Sequence, residues 1–145
     1  MQKIKTYPSG LRLICDEMSG FGTVATYVYV CTGAINEDES NIGISHLIEH
    51  MLFKGTKTRS AFKLADDFKN IGAQNNAFTS REETVFYTKS IAENTEKCLE
   101  ILSDMYFNSV FDEKELAKEK KVVILQTKFT GYDDLNELYG WKRLK

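Results

Sequence analysis

Between Thr23 and Thr32 the chain alternates with period two. Val24, Thr26, Val28 and Val30 fall on one face, and Ala25, Tyr27, Tyr29 and Cys31 on the other. That period is a strand's. Both faces are largely apolar, so the pattern predicts a central strand covered on at least one side. Upstream, Lys3–Tyr7 and Leu11–Asp16 flank Pro8-Ser9-Gly10, whose turn chemistry predicts a hairpin. Downstream the period lengthens. Ile44, Leu47, Ile48 and Leu52 predict an amphipathic helix, capped by Asn41 or a neighbour and stopped by Gly55. Ser60 caps a second helix carrying Ala61, Leu64, Ala65, Phe68 and Ile71, ended by Gly72. Ala73–Ser80 and Thr84–Ser90 read as strands around the polar Ser80-Arg81-Glu82-Glu83. Asn94–Asn108 reads as a helix with Cys98, Leu102 and Met105 along one stripe. Asp112 and Glu115 form a capping-box signal for a last helix running to about Lys128.

Strands and helices alternate irregularly, with hairpin signals, which predicts an α+β fold of mostly antiparallel sheet rather than a doubly wound parallel one. The 145 residues suit one domain. A net charge of −2 argues against a dedicated nucleic-acid binder and against attraction to an anionic membrane. No apolar run reaches the ~20 residues of a membrane span. The N-terminus has no apolar core of a signal peptide. Three cysteines without CxxC spacing, Cys15, Cys31 and Cys98, read as reduced thiols. Together these predict a cytoplasmic protein.

The chain has two histidines, and both lie in His46-Leu47-Ile48-Glu49-His50. Residues four apart on a helix share a face, so both imidazoles can approach one metal ion from the same side. Zinc accepts nitrogen ligands without geometric demand. Glu49 projects near that face, where a carboxylate can take a proton from water and deliver it to a leaving amine. The inverted HxxEH order is a metallopeptidase signature. The bland alternative is a pair of surface histidines beside a solvated glutamate.

The segment Gly43–Thr56, including this motif, resembles the active-site helix of the pitrilysin/insulinase family of zinc peptidases, which includes mitochondrial and bacterial processing proteases. The similarity continues through Gly72-Ala73-Gln74-Asn75-Asn76-Ala77-Phe78-Thr79-Ser80-Arg81-Glu82 and Ala117–Val123, and Pro8-Ser9-Gly10-Leu11-Arg12 is similar to family N-termini. The resemblance implies a pitrilysin-type α+β domain with helices packed on one face of the sheet. It implies that residues 1–145 are a single N-terminal domain, incomplete at its C-terminus. His46 and His50 would bind zinc (Zn2+), and Glu49 would be the general base. Glu119 would support the site from a later helix. Asn76 and Ala77 would lie on an edge strand that pairs with an extended peptide substrate by β-addition. Without the resemblance, Asn75-Asn76 reads as an ordinary polar turn or strand edge. Phe53 and Phe78 can line a pocket or simply pack in the core.

The family's third zinc ligand is a Glu seven residues after the one matched by Glu119. That position holds Gln126, 76 residues after His50. An amide is neutral and a poorer zinc ligand than a carboxylate. A one-residue slip offers Thr127, and no acidic residue lies between Glu119 and Asp133. Tyr132-Asp133-Asp134, Trp141 and the basic Lys142-Arg143-Leu144-Lys145 depart from the family, the last reading as a solvated tail. The implied function is a zinc metalloendopeptidase that cleaves oligopeptides or extended targeting segments with zinc-activated water and a Glu base. A second family domain or subunit would complete its chamber. The alternative is a non-catalytic peptide-binding or assembly subunit, inactive through the missing Glu and the short chain.

Overall fold

The computed structural model describes residues 2–129, with side chains to residue 126. Tyr132–Asp134, Trp141 and the basic 142–145 segment lie outside the described residues. Five strands and four helices follow in the order β1 (Gln2–Thr6), β2 (Arg12–Asp16), β3 (Thr23–Val30), α1 (Ile44–Leu52), α2 (Ala61–Asn70), β4 (Gln74–Thr79), β5 (Thr84–Ile91), α3 (Thr95–Asn108) and α4 (Glu113–Phe129). The fold is α+β with antiparallel pairing throughout the described strands.

The first hairpin pairs β1 with β2, Ile4 opposite Ile14. Tyr7 and Leu11 close it, the Tyr7 N–H donating to the Leu11 carbonyl. The main sheet has the order β3-β5-β4. The central position therefore belongs to β5, not to β3 as the apolar alternation suggested. The burial explains this. Val85 and Phe86, neighbours on opposite faces of β5, are both buried. On β3 one face is half-buried and the other exposed. The exposed face carries Tyr27 and Tyr29; Tyr27 stacks with Tyr87 of β5 at 5.5 Å and with Tyr29 at 5.9 Å. Cross-strand aromatic pairs explain apolar residues there without a covering layer.

The helices pack on the other face. Val28, Val30, Ala77 and Phe86 meet Leu52, Leu64, Phe68, Ile101, Leu102 and Met105 in one core. Burying each of the Leu, Ile, Met and Phe side chains of this core is worth about 1.5–3 kcal/mol. A second, smaller cluster joins α1 to α4 through Leu47, Met51 and Val123. The helix boundaries follow local chemistry. The Ser60 hydroxyl accepts the Lys63 N–H, as its cap role predicts. Asp112 accepts the N–H groups of Lys114 and Glu115 at the start of α4. The start of α1 differs from expectation. Gly43 occupies the cap position, and Asn41 instead accepts the Asp38 N–H within the preceding loop.

The connection after α1 is locked by a charged cluster. Arg59 donates to Asp67, Glu100 and Asp104. Asp104, buried on α3, also accepts from Thr56, Thr58 and Asn108. All three cysteines are free thiols, Cys98 buried and the other two exposed. No helix among the described residues is long and apolar enough to cross a membrane.

Candidate active site

The site is built on α1, whose apolar stripe faces inward through Leu47, Met51 and Leu52. That packing fixes the helix's rotation and sends His46, Glu49 and His50 to a half-buried flank. The two imidazole rings lie 4.8 Å apart, nearly perpendicular. Burial, reinforced by His50, lowers the His46 pKa against the opposing pull of Glu49 and Glu37. His46 is therefore neutral at pH 7, with a ring lone pair to offer.

Glu119, on α4, reaches His50, as the family resemblance implied. Its Oε2 lies 2.8 Å from His50 Nδ1. Its Oε1 meets Lys54 Nζ at 2.7 Å. Burial by itself would raise the Glu119 pKa, but Lys54 and His50 together outweigh it and hold the carboxyl below the usual range. An ionised Glu119 favours the proton on Nδ1, the tautomer that leaves a lone pair on Nε2 of His50.

Glu49 is held from the sheet. The Thr79 hydroxyl, at the end of β4, donates to Glu49 Oε2 at 2.6 Å. Thr79 was not singled out from sequence. Its signal was parity: Ala77 and Thr79 share a strand face, and Ala77 packs into the helix-side core. Glu37 was also missed; its carboxylate accepts the N–H groups of Gly43 and Ser45 at the start of α1. Nothing in local spacing marks a cap donated from six and eight residues upstream.

Asn76 and Ala77 lie on β4, which is the terminal strand of the main sheet among the described residues. The Ser80 N–H donates inward to Glu83. Alternation along the ladder then turns the Ala77 N–H toward the open edge. There it is taken by the Asn76 side chain at 2.9 Å. Phe53 sits against the main core, 6.2 Å from Phe86, whereas Phe78 is exposed on the opposite sheet face.

Two imidazoles so arranged fit a zinc ion. Gln126 continues the α4 stripe of Glu119 and Val123 and is exposed. Among the described residues, no group of three or more His, Cys, Asp or Glu side chains is placed to hold a metal. A catalytic zinc takes three protein ligands, one more than the two imidazoles here.

The sequence model of the insulinase family, peptidase family M16, matches residues 16–133. The chain belongs to this family. M16 relatives include an uncharacterized zinc protease, YmxG, of Bacillus subtilis, 44% identical over 92% of this chain and 32% of its own length. The human mitochondrial-processing peptidase subunit beta is 39% identical over 84% of this chain and 25% of its own. A crystal structure of a protease from Helicobacter pylori superposes with a TM-score of 0.84 at 27% identity, covering 88% of this chain and 31% of that one. The chain spans about a third or less of the length of these M16 relatives.

Proposed function

We propose that the chain is the metal-binding part of a zinc-dependent peptidase acting on extended peptides. The observation that carries this is the convergence on α1 of three supports: Glu119 on His50, Thr79 on Glu49, and the facing His46 and His50 rings. An incidental histidine pair has no reason to be braced from both a second helix and a strand end.

His46 and His50 would hold zinc. When bound, zinc supplies a Lewis acid that polarises a peptide carbonyl and acidifies water. Glu49 takes the proton of the attacking water and returns it to the leaving amine nitrogen. Thr79 keeps one carboxylate oxygen engaged, so the other faces the reacting atoms. Asn76 and Ala77 supply the open edge on which an extended peptide adds as a strand, so main-chain hydrogen bonds hold it regardless of sequence. A second family domain or subunit would close over this edge.

A second reading is a non-catalytic peptide-binding or assembly subunit. Gln126, at the position of the third ligand, favours it. Turnover of a quenched-fluorescence peptide by the chain and by Glu49→Gln decides between the two. The first reading expects slow hydrolysis by the chain, lowered ~10²–10⁴-fold in the variant. Peptide binding without hydrolysis, identical in both, supports the second reading.

A further inference from the structure

The nine-residue α1 helix is too short to be stable alone. Its cap position is Gly43, in the left-handed region at φ 84°, with no side chain to satisfy the orphan N–H groups of the first turn. Glu37 does so from outside. Its Oε2 accepts the Gly43 N–H at 2.6 Å and its Oε1 accepts the Ser45 N–H at 2.9 Å. The anion also meets the positive end of the helix dipole.

Glu37 is itself anchored. The turn of 3-10 helix preceding it, Ala34–Asn36, is seated on the loop between β4 and β5. The Ala34 N–H donates to the Ser80 carbonyl at 3.2 Å and the Ile35 N–H to the Arg81 carbonyl at 2.8 Å. Gly33 makes the approach possible, since a Cβ there would stand 2.5 Å from the Ser80 oxygen and 2.8 Å from the Glu83 nitrogen. Ser80 directly follows Thr79, whose hydroxyl holds Glu49. The end of β4 and the loop after it therefore grip α1 twice, the loop through Glu37 at the first turn and Thr79 at Glu49. His46 lies between the two grips.

We propose that Glu37 is a positioning residue, a bracket that fixes the first turn of α1 to the β4–β5 loop and so presets His46 and His50 for the metal. This rests on the zinc reading above. Losing Glu37 frays the turn that carries His46 and removes a negative charge from its surroundings. Both effects weaken binding of a cation, so the sign is not in question.

The test is zinc titration of the whole chain and of Glu37→Ala, Glu37→Gln, Gly33→Ala and Ile101→Val, with thermal melting and, in metal-free protein, amide exchange. Zinc affinity should fall more than twofold and up to roughly 30-fold in Glu37→Ala, the range expected for a lost cap. Glu37→Gln, retaining one acceptor oxygen, should fall between. Gly33→Ala should mimic Glu37→Ala although the carboxylate is intact, because the loop is pushed off its seat. Gly43 and Ser45 amides should exchange faster in Glu37→Ala, with α3 unaffected. Ile101→Val, a core truncation on α3, should lower the melting temperature yet leave zinc affinity unchanged. Zinc affinity in Glu37→Ala within twofold of the parent, or an equal loss in Ile101→Val, would overturn the bracket. Zinc binding that survives His46→Ala/His50→Ala would overturn the site itself, while amide exchange still decides whether Glu37 holds the turn.

Discussion

The Thr79 hydroxyl donates to Glu49 Oε2 at 2.6 Å, so the strand that presents the open sheet edge also holds the proposed base. Removing the hydroxyl with Thr79→Val leaves the carboxylate free to rotate. A hydrogen bond to a charged group is worth about 1.5–3 kcal/mol. We expect peptide turnover to fall roughly tenfold or more, zinc affinity to stay unchanged, and Thr79→Ser to recover most of the rate. Steady-state kinetics beside a zinc titration checks this. A loss of zinc affinity equal to the loss of rate would mean that Thr79 supports the helix rather than the base.

Asp104 gives the fold an acid sensitivity of known sign. Burial alone would raise its pKa, but Thr56, Arg59, Asn108 and Thr58 outweigh burial and hold it at about 2. An unfolded aspartate titrates near ~3.9. The folded pKa is depressed, so the contribution is present in full above pH ~4 and is lost as pH falls toward 2. The difference corresponds to about 2–3 kcal/mol. Urea unfolding at pH 5, 4, 3 and 2 should show this loss, and Asp104→Asn should be less stable at pH 5 with a shallower slope. Equal slopes in the two proteins would show that other carboxylates set the acid limit.

Most of the element order was legible because the deciding interactions are local. Ser60 and Asp112 cap the helices that their positions predict, and the period of Leu64 and Phe68 gives the buried face of α2. The centre of the sheet was not legible. Val24–Val30 and Val85–Phe86 are equally apolar in sequence, and only the pairing of three strands separates edge from centre. At the site, His46, Glu49 and His50 were readable because helical spacing alone brings them together. Glu119 needed the family resemblance, since its bond to His50 spans 69 residues. Thr79 carried only the parity it shares with Ala77, and Glu37 carried no signal, because each acts across a tertiary contact that no spacing encodes.

The family resemblance puts Gln126 at the position of the third zinc ligand. Gln126→Glu puts an anionic oxygen on the α4 stripe that carries Glu119 and Val123. We expect zinc affinity to rise at least tenfold, since supporting and ligating groups change metal affinity by that order or more. Turnover should rise but stay incomplete, because catalysis needs placement within ~0.5 Å and the chain spans only a third of its relatives. Unchanged affinity would show that residue 126 does not face the metal.

Zinc at His46 and His50 is the centre of the proposed chemistry. Calorimetric titration of zinc into the chain and into His46→Ala/His50→Ala tests that most directly, with melting curves to confirm that both are folded. We predict one zinc per chain, bound weakly for want of a third charged ligand, and no binding in the double variant. Binding undiminished in the double variant would place the metal elsewhere, at the cysteines or an acidic cluster, and would contradict the account.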